Sequence, residues 1–530
     1  MKLYYAHYPA LQSRFIRFVR ENRTSPVDKW LVVCASSFLS QHLQARLAGE
    51  LGAIANIHFI TAGTLISQLD QEAPGDTLAL LPQDHVRDFL IKEILKEPGL
   101  NRYALSRGFV QAVKSSLRDL ADSLADPAVL EEHLLSMPDY VLEQDGGRFE
   151  WLVHVYKRYL ERENSLPGYR SYQMAFERAL SQVETSAYLQ SFSHIIVYGF
   201  YDMSGRQLEL IGRIKSCYPV TVFAPYEKHP AYTFAKKFFE TNWLSAPGAE
   251  DINTSMPMAL GESASHLFAG SGSSAGTHVE IVSAPDVKGS VFYVVKEICK
   301  RIQAGERTAD IAILARDVAP YQEELRRACR ANCLPLNASF VYPFHKYALG
   351  TFCLNLLELG ASGFAREKVL AVFSSPYFKE VHKAAWRRLV SRSLVNRDIS
   401  QWNDLLPQAP GFEQDVLTWI DTANAALEKL SRPQLWEDGV KLAIDFLTTH
   451  VDESAFEGKD AEIYQKIKET ILKINSYSAV RKQCEPGELV QEITQALASL
   501  AFNEVEAVQG GITVTDAMRA RGLSFKTVFY

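Results

Sequence analysis

Short apolar runs alternate with helical runs near the beginning of the chain. Residues 31–34, LVVC, predict a buried strand, and a polar turn separates it from a helical run at 38–51. Residues 57–60, IHFI, predict a second strand, which ends at Thr61 before a further helix. Such alternation is typical of a parallel sheet with helices packed on its faces. This part of the chain therefore predicts an α/β domain.

The pattern changes to helices between about residues 82 and 190. In RFEWLVHVYKRYL (148–160), apolar side chains recur at helical spacing. The alternating pattern then returns, with an apolar run at 195–197, a helical run at 204–216 and VTVF at 220–223. We therefore predict that the helical block is inserted into one sheet domain.

A second α/β unit follows the first along the chain. VEIVSA (279–284) and DIAILAR (310–316) predict strands, and helical runs lie at 291–302 and 320–331. Helices dominate again from about 360 to 505, before strand-like runs return at 511–530. This order repeats the arrangement of the first unit, a sheet domain interrupted by helices.

The prediction is an α/β fold with two parallel-sheet lobes, each interrupted by a large helical insertion. The first lobe comprises residues 1–81 and 191–260 around an insertion at 82–190, and the second comprises 278–359 and 509–530 around an insertion at 360–508. The stretch 261–277 is rich in Gly, Ser and Ala. We expect it to be a linker between the lobes or a surface loop within one domain.

Composition and charge narrow the class of protein. A chain of 530 residues is too long for one core, which agrees with several domains. The net charge of −6 means that contact with nucleic acid would need a local basic stripe. Seven scattered cysteines indicate a reducing compartment. Because we find neither a signal peptide nor a run of about 18 apolar residues, we expect a cytoplasmic protein without a membrane segment.

Four segments resemble, in their order along the chain, motifs of superfamily-one helicases of the UvrD and RecB type. IHFITAGTLISQL (57–69) resembles the motif whose Thr contacts single-stranded DNA, and VYGFYDMSGRQ (197–207) resembles the segment that carries the Walker B acids. DIAILAR (310–316) is similar to the fourth motif, whose Arg touches the γ-phosphate, and RARGLSFKTVFY (519–530) to the fifth. The resemblance covers essentially the whole chain and implies that both lobes are RecA-like.

The departures from the family's pattern concern the nucleotide site. The turn CASSFLSQ (34–41) lacks the glycines and the Lys with which a Walker A loop binds phosphate. Tyr198 and Gly199 stand where the resemblance places the Walker B acids, and Ser524 replaces a Glu. Each charge-assisted contact that is lost costs roughly 1.5–3 kcal/mol. We therefore expect that the chain has lost binding of ATP and Mg²⁺ and that the motor is inactive.

This combination resembles the AddB-like branch, in which a helicase-like region precedes a nuclease domain of the PD-(D/E)XK type. REKVLAVFSSPYF (366–378) is similar to its second helical insertion. The resemblance implies a DNA-end-processing exonuclease of double-strand break repair and recombination, which binds DNA and a partner helicase-nuclease subunit. Residues 528–530 read as the middle of a buried strand, so we expect a piece of a longer protein. The nuclease metal and its carboxylates are expected only beyond residue 530, and we assign no catalytic or metal-binding residue.

Two sets of candidate residues follow. Arg316, Asp202 and Gln207 are candidate remnants of a nucleotide site, although a surface ion pair or a helix cap would also explain them. The DNA-binding candidates are Thr61, Arg519, Arg521, Trp386, Arg387 and Arg388. Thr61 could equally be a helix cap, and the two arginines of the motif-like loop could simply be solvated. The basic residues around the tryptophan suit phosphate contact and base stacking, or an amphipathic helix with a buried ring. AVKSSLRDL (112–120) shows the same pattern more weakly.

Two alternative functions remain open from the sequence. The first is a diverged but active DNA-dependent ATPase, in which Lys29 or Arg316 would serve the phosphates. The second is a two-lobed nucleotide-sugar enzyme, such as a glycosyltransferase, whose lobes would be plain Rossmann-like domains. Two large helical insertions at matching points argue against this second alternative.

Overall fold

The computed structural model describes residues 1–52, 54–74, 82–137, 147–244, 248–252, 279–396, 398–406, 411–508 and 510–530. The predicted linker, 261–277, lies outside the described residues. The strands are β1 (Lys2–Ala6), β2 (Trp30–Cys34), β3 (Ile57–Thr61), β4 (His194–Tyr198), β5 (Val220–Pro225), β6 (Ala249–Asp251), β7 (Ile311–Ala315), β8 (Leu336–Pro343), β9 (Gln434–Leu435), β10 (Gln483–Cys484), β11 (Ala501–Ala507), β12 (Ile512–Asp516) and β13 (Thr527–Phe529).

These strands form two large sheets and one small pair. The first sheet has the order β3-β2-β4-β5-β1-β6, and all its strands are parallel. The second has the order β11-β8-β12-β7-β13, with β11 antiparallel to β8 and the other pairs parallel. The remaining strands, β9 and β10, pair with each other. The predicted α/β fold with two parallel-sheet lobes is confirmed.

Helices join and interrupt these sheets. They are α1 (Tyr8–Asn22), α2 (Ser37–Leu51), α3 (Ala62–Glu72), α4 (Asp84–Ile94), α5 (Arg107–Asp122), α6 (Pro127–Ser136), α7 (Arg148–Asn164), α8 (Tyr172–Gln182), α9 (Ala187–Gln190), α10 (Gly205–Cys217), α11 (Thr233–Asn242), α12 (Val287–Gln303), α13 (Gln322–Ala331), α14 (Ala348–Leu357), α15 (Arg366–Phe373), α16 (Lys383–Ser391), α17 (Gln401–Leu405), α18 (Glu413–Leu430), α19 (Trp436–His450), α20 (Asp460–Leu472) and α21 (Glu488–Ser499). Short 3-10 helices lie at Pro230–Tyr232, Thr308–Asp310, Phe344–Lys346, Glu453–Ala455 and Lys473–Ala479.

The first sheet is covered on both faces. The helices α1 and α2 pack on one face, where Phe15 and Leu39 meet the aromatic side chains of the strands. The helices α3, α8, α10 and α11 cover the other face. Phe176 and Ala179 of α8 belong to this core, so the last helices before β4 pack against the sheet itself. The second sheet buries apolar residues under α12 and α13.

Two elements differ from what the sequence predicts. The first is β1, which lies between β5 and β6 and is followed by α1. No strand or helix was predicted before residue 31. The second is VEIVSA (279–284), where the predicted strand is wrong, because these residues pair with no strand among those described. Ile281 is 93% exposed there. An alternating apolar pattern forms a strand only where another strand supplies hydrogen bonds, and the pattern itself does not reveal that neighbour.

The helices outside the sheets form two further cores. The helices α4, α5 and α7 enclose one of them, and α14 to α21 enclose a larger one. Phe89 of α4 joins the two, because it is buried in the larger core and its ring stacks on Tyr477 at 4.2 Å between centroids. The two helical segments therefore contact each other through shared apolar packing.

Candidate functional site

The carboxyl ends of β2 and β4 are where a nucleotide would bind in a fold of this kind. Only Ala35 and Ser36 separate β2 from α2. The Ser36 side chain caps α2 by accepting a hydrogen bond from the Leu39 backbone N at 3.1 Å. A phosphate loop needs a longer glycine-rich turn whose backbone N–H groups surround the phosphate. This connection is too short to form one.

Core side chains occupy the end of β4. Tyr198 is buried, and its ring packs against Phe15 at 5.2 Å and Phe223 at 5.9 Å between centroids. Gly199 follows with φ +84°, and a Cβ atom at this position would collide with Cδ2 of Leu39. A carboxylate side chain therefore has no room directly after β4, where the Walker B acids would stand.

The two lobes meet at these strand ends. Gly522, in the loop before β13, has φ +79°, and a Cβ atom there would lie 2.8 Å from Cε1 of Tyr8 and 3.0 Å from Cδ1 of Leu39. The Tyr8 hydroxyl donates a hydrogen bond to the Gly199 carbonyl at 3.3 Å. We call the contact between Tyr8, Leu39, Gly199 and Gly522 the interlobe junction. It brings the first turns of α1 and α2 into contact with the loop before β13.

Arg521 and Asp202 lie at the rim of the interlobe junction. The Arg521 guanidinium sits 4.8 Å from the centroid of the Tyr201 ring, in cation–π geometry. Burial raises the pKa of Tyr8, and the Asp202 charge acts in the same direction while Arg521 opposes it. Partial desolvation raises the pKa of Asp202 itself. The structure thus brings together one nucleotide-site candidate and one DNA-binding candidate.

Gln207 has a structural partner. Its Oε1 accepts a hydrogen bond from the Ser204 backbone N at 3.0 Å, and the Ser204 hydroxyl accepts one from the Gln207 backbone N at 3.4 Å. This is a capping box at the start of α10. Arg316 is exposed at the end of β7 and lines a cavity of about 610 Å³ with Asp317 and Tyr321. It forms no ion pair with the residues that the structure describes.

The other DNA-binding candidates lie on separate elements. Thr61 caps α3, because its hydroxyl accepts a hydrogen bond from the Thr64 backbone N at 3.3 Å. Arg519 is exposed and pairs with Asp516 at 3.2 Å. Trp386 is only 4% exposed and packs against Phe373 at 5.3 Å between centroids. Its ring has no exposed face for a base.

Arg387 and Arg388 lie on α16 and are exposed, on the side of the helix opposite to the buried tryptophan. This helix belongs to the large core of the second helical segment. The helix α16 therefore belongs to a different core from the strands that end at the interlobe junction. The weaker basic pattern of residues 112–120 lies on α5.

The segment after β5 carries further functional candidates that the sequence analysis missed. Phe234 is 66% exposed, and its ring lies 5.4 Å from that of Tyr201. Lys228, Lys236 and Lys237 of the same segment are also exposed. The sequence YEKHPAYTFAKK (226–237) indicates this surface, because basic and aromatic residues interleave there in a manner typical of single-strand binding.

Electrostatics near this segment follow from burial. Desolvation, with the charge of Glu227 acting in the same direction, raises the pKa of Tyr232 to about 12. In the described ranges, no group of three or more His, Cys, Asp or Glu side chains could hold a metal ion. Of the helices that the structure describes, none is long and apolar enough to cross a membrane.

A scan against protein-family models matched no family, and a search of curated proteins found no match.

Proposed function

We propose that this chain is an inactivated, helicase-like, DNA-binding region of an AddB/RecB-type DNA-end-processing nuclease. Its role would be to hold one DNA strand at the strand ends of the two lobes and to guide it, without ATP, toward a nuclease domain. The observation that carries the proposal is the interlobe junction, where Tyr8 and Leu39 of the first lobe contact Gly522 of the second.

Three features of the first lobe support loss of the motor. The connection after β2 has two residues, a side chain after β4 would have to displace Leu39, and the loop before β13 contacts Tyr8 and Leu39. Lys29, which could have served the phosphates instead, precedes β2. A strand of this length spans roughly 15 Å, so Lys29 lies at the opposite edge of the sheet. The turn after β2 and the start of α2, ASSFLSQ (35–41), contain no Lys or Arg.

Exposed cations and rings at the carboxyl edge support binding of a nucleic acid strand. Phe234 and Tyr201 offer aromatic faces, Arg521 lies on the second of them, and Lys237 follows the first by three residues on the same helix. Bases stack on aromatic side chains while cations contact the phosphates, and neither contact depends on base sequence. A chain with a net charge of −6 can attract nucleic acid only through a local basic surface of this kind.

Fluorescence anisotropy tests the proposal directly. Labelled single-stranded DNA, blunt duplex ends and tailed duplex ends are titrated with the protein across a salt series, with and without Mg-ATP. We expect tight, salt-dependent binding to single-stranded or tailed DNA that is unchanged by Mg-ATP. A change of affinity with Mg-ATP would contradict the inactive motor, and absence of binding at low salt would overturn the DNA-binding role.

Two matched variants locate the binding surface. Phe234→Ala should weaken binding about 5- to 100-fold, because base stacking contributes roughly 1–3 kcal/mol per base. Phe292→Ala removes an equally exposed phenylalanine, 69% exposed on α12, and should leave the affinity unchanged. Equal effects of both variants would place the DNA elsewhere.

A further inference from the structure

A small cavity lies between the first helical segment and the first lobe. Its volume is about 210 Å³, and its lining comes from α4, α5, α7, α8 and α10. Four basic side chains converge on it, which are Arg87, Lys114, Arg118 and Arg206. Lys114 and Arg118 are one helical turn apart in the basic segment 112–120, for which the DNA-binding surface above provides no role.

Two of these arginines have buried donors without an acceptor. The Nε atoms of Arg87 and Arg206 are buried and make no hydrogen bond with the described residues. Arg206 uses Nη2 to donate to Oε1 of Gln173 at 3.1 Å, and the Arg87 guanidinium lies 4.5 Å from the centroid of the Tyr172 ring. Buried N–H groups are almost always satisfied in proteins, and an exception points to an absent water or ion.

The carboxylates that face the cavity are fewer than the cations. Asp122, at the end of α5, is 3.5 Å from Arg206 and has a side chain that is partly exposed. Glu163 of α7 is buried and accepts a hydrogen bond from the Tyr159 hydroxyl at 2.6 Å. Burial raises the pKa of Glu163, whereas the hydrogen bond from Tyr159 and the charges of Arg87 and Arg206 act in the opposite direction.

Neighbouring carboxylates pair with the other two cations, Arg87 and Lys114. Asp84 and Asp88 line an adjacent cleft, and they pair with Lys114 at 3.4 and 2.7 Å. Asp84 also pairs with Arg87. Arg118 is exposed and forms no ion pair with any residue that the structure describes. Because Arg206 pairs with Asp122, Arg118 is the cation of this lining that is left without an ion pair among the described residues.

We propose that this cavity binds a phosphate group. A cavity of 210 Å³ has the volume of about seven liquid waters, enough for one phosphate and a few waters. Guanidinium groups are the side chains best matched to phosphate oxygens, because they offer two parallel N–H donors. Arg118 at the mouth would supply the main contact, and the buried Nε atoms of Arg206 and Arg87 would add one donor each.

The phosphate could belong to a DNA end or to a free phosphate compound. Arg206 lies in the first turn of α10, four residues after Asp202 at the rim of the interlobe junction. A strand bound along the proposed DNA surface could therefore place a terminal phosphate in the cavity. This assignment of the source rests on the proposed function, whereas the phosphate site itself does not.

The first arm of the test measures inorganic phosphate alone. Isothermal titration calorimetry of the full chain, in chloride buffer at constant ionic strength, should show saturable binding. Arg118→Gln should weaken it at least fivefold, and Arg118 is exposed, so folding is not at risk. Arg17→Gln, which changes an exposed arginine of α1, is the matched control and should change nothing.

Glu163→Gln provides a variant with the opposite expectation. The amide can still accept the hydrogen bond from Tyr159, but a negative charge leaves the cavity. Phosphate should therefore bind more tightly, by a few fold, and the gain should be largest at high pH, where Glu163 is most ionised. A loss of affinity in this variant, with unchanged thermal stability, would count against an anion site.

The second arm measures oligonucleotides by anisotropy, with a 5′-phosphate, a 3′-phosphate or neither. If the source is a DNA end, one phosphorylated end should bind more tightly, and Arg118→Gln should abolish that preference. Phosphate binding without such a preference would assign the cavity to a free phosphate compound.

The two proposals fail in distinguishable ways. If DNA binds but inorganic phosphate does not, and Arg118→Gln behaves as Arg17→Gln, the cavity proposal is overturned and the DNA-binding role stands. If phosphate binds and DNA does not, the DNA-binding role is overturned and the cavity proposal stands.

Discussion

At the scale of single residues, two glycines allow the lobes to meet. Gly199 and Gly522 both have positive φ, where glycine is the residue without steric cost. Both also lack space for a Cβ atom against Leu39, and Gly522 lacks it against Tyr8. The contact between the lobes at this point therefore depends on the absence of two side chains.

Gly522→Ala tests the interlobe junction. The left-handed backbone alone costs an alanine roughly 1–2 kcal/mol, and the added Cβ must displace Tyr8. Gly510→Ala is the matched control, because Gly510 also has φ +79° but nothing lies within 4 Å of its added Cβ. We expect thermal unfolding to show a larger loss for Gly522→Ala, by about 1 kcal/mol or more. Equal losses would mean that the junction does not hold the lobes together.

His42 on α2 predicts a dependence of stability on pH. Burial, helped by the charge of Arg46, lowers the pKa of His42 to about 4, while an unfolded histidine has a pKa near 6.5. Between about pH 4 and 6.5, the unfolded chain binds a proton at this histidine that the folded chain does not bind. The free energy of unfolding therefore falls as pH falls from about 6.5 to 4, by about 2 kcal/mol at pH 5.

The measurement for His42 compares wild type with His42→Gln. Glutamine does not titrate and can keep the contact with Gln12, which the His42 ring makes at 3.3 Å. Thermal unfolding between pH 7.5 and 5 should show a smaller fall in Tm for the variant. Parallel curves for the two proteins would contradict the assignment to His42.

At the scale of elements, α16 shows why composition misleads about nucleic-acid contact. Its tryptophan packs into the second helical core, and its arginines point away from that core. The helix is thus amphipathic, with the ring used for packing and only the cations available to a ligand. The two halves of the sequence motif therefore have separate physical roles, which substitutions can separate.

Variants of α16 should separate these roles. Trp386→Ala removes a buried ring and should destabilise the protein by about 3–5 kcal/mol. Arg387→Gln with Arg388→Gln should change stability by less than about 0.5 kcal/mol. If α16 contacts phosphates, this double variant should also weaken DNA binding and lower the salt slope by up to about 2. An unchanged slope would remove α16 from the DNA surface.

At the scale of the whole molecule, the two helical segments are joined. Phe89 enters the core of the second segment, and Lys92 pairs with Glu492 next to it. Arg481 contacts both Glu93 at 3.1 Å and Glu488, which extends the polar contact along α4. Packing of this kind couples the segments, so that a substitution that destabilises one should also destabilise the other.

Phe89→Ala should loosen both segments. The loss should be about 3–5 kcal/mol, because a buried ring is replaced by a cavity. Hydrogen exchange should then show reduced protection in α4 and in α19 to α21 together. Phe352→Ala, in the second core alone, is the control and should affect only the second segment. Reduced protection in α4 alone after Phe89→Ala would contradict the coupling.

Part of the fold could be predicted because the information is local. The strands β2, β3 and β4 are short apolar runs that are buried wherever the chain places them, and the helices after them carry helical periodicity. The candidate site was only partly predictable. The missing glycines and lysine after β2 are visible in the sequence, but the filling of the cleft by Tyr8 and Leu39 is not.

The sequence by itself determined the α/β class and the order of sheet and helical segments, because both depend on residue types and spacing within a few turns of chain. Only the tertiary structure decided which strand has a neighbour, which aromatic ring is buried and which cations converge. It placed β1 inside the first sheet and left 279–284 without a partner strand among those described. It also gathered Arg87, Arg118 and Arg206 around one cavity. These contacts join residues far apart in sequence, and their energies depend on burial and distance, which exist only once the chain has folded.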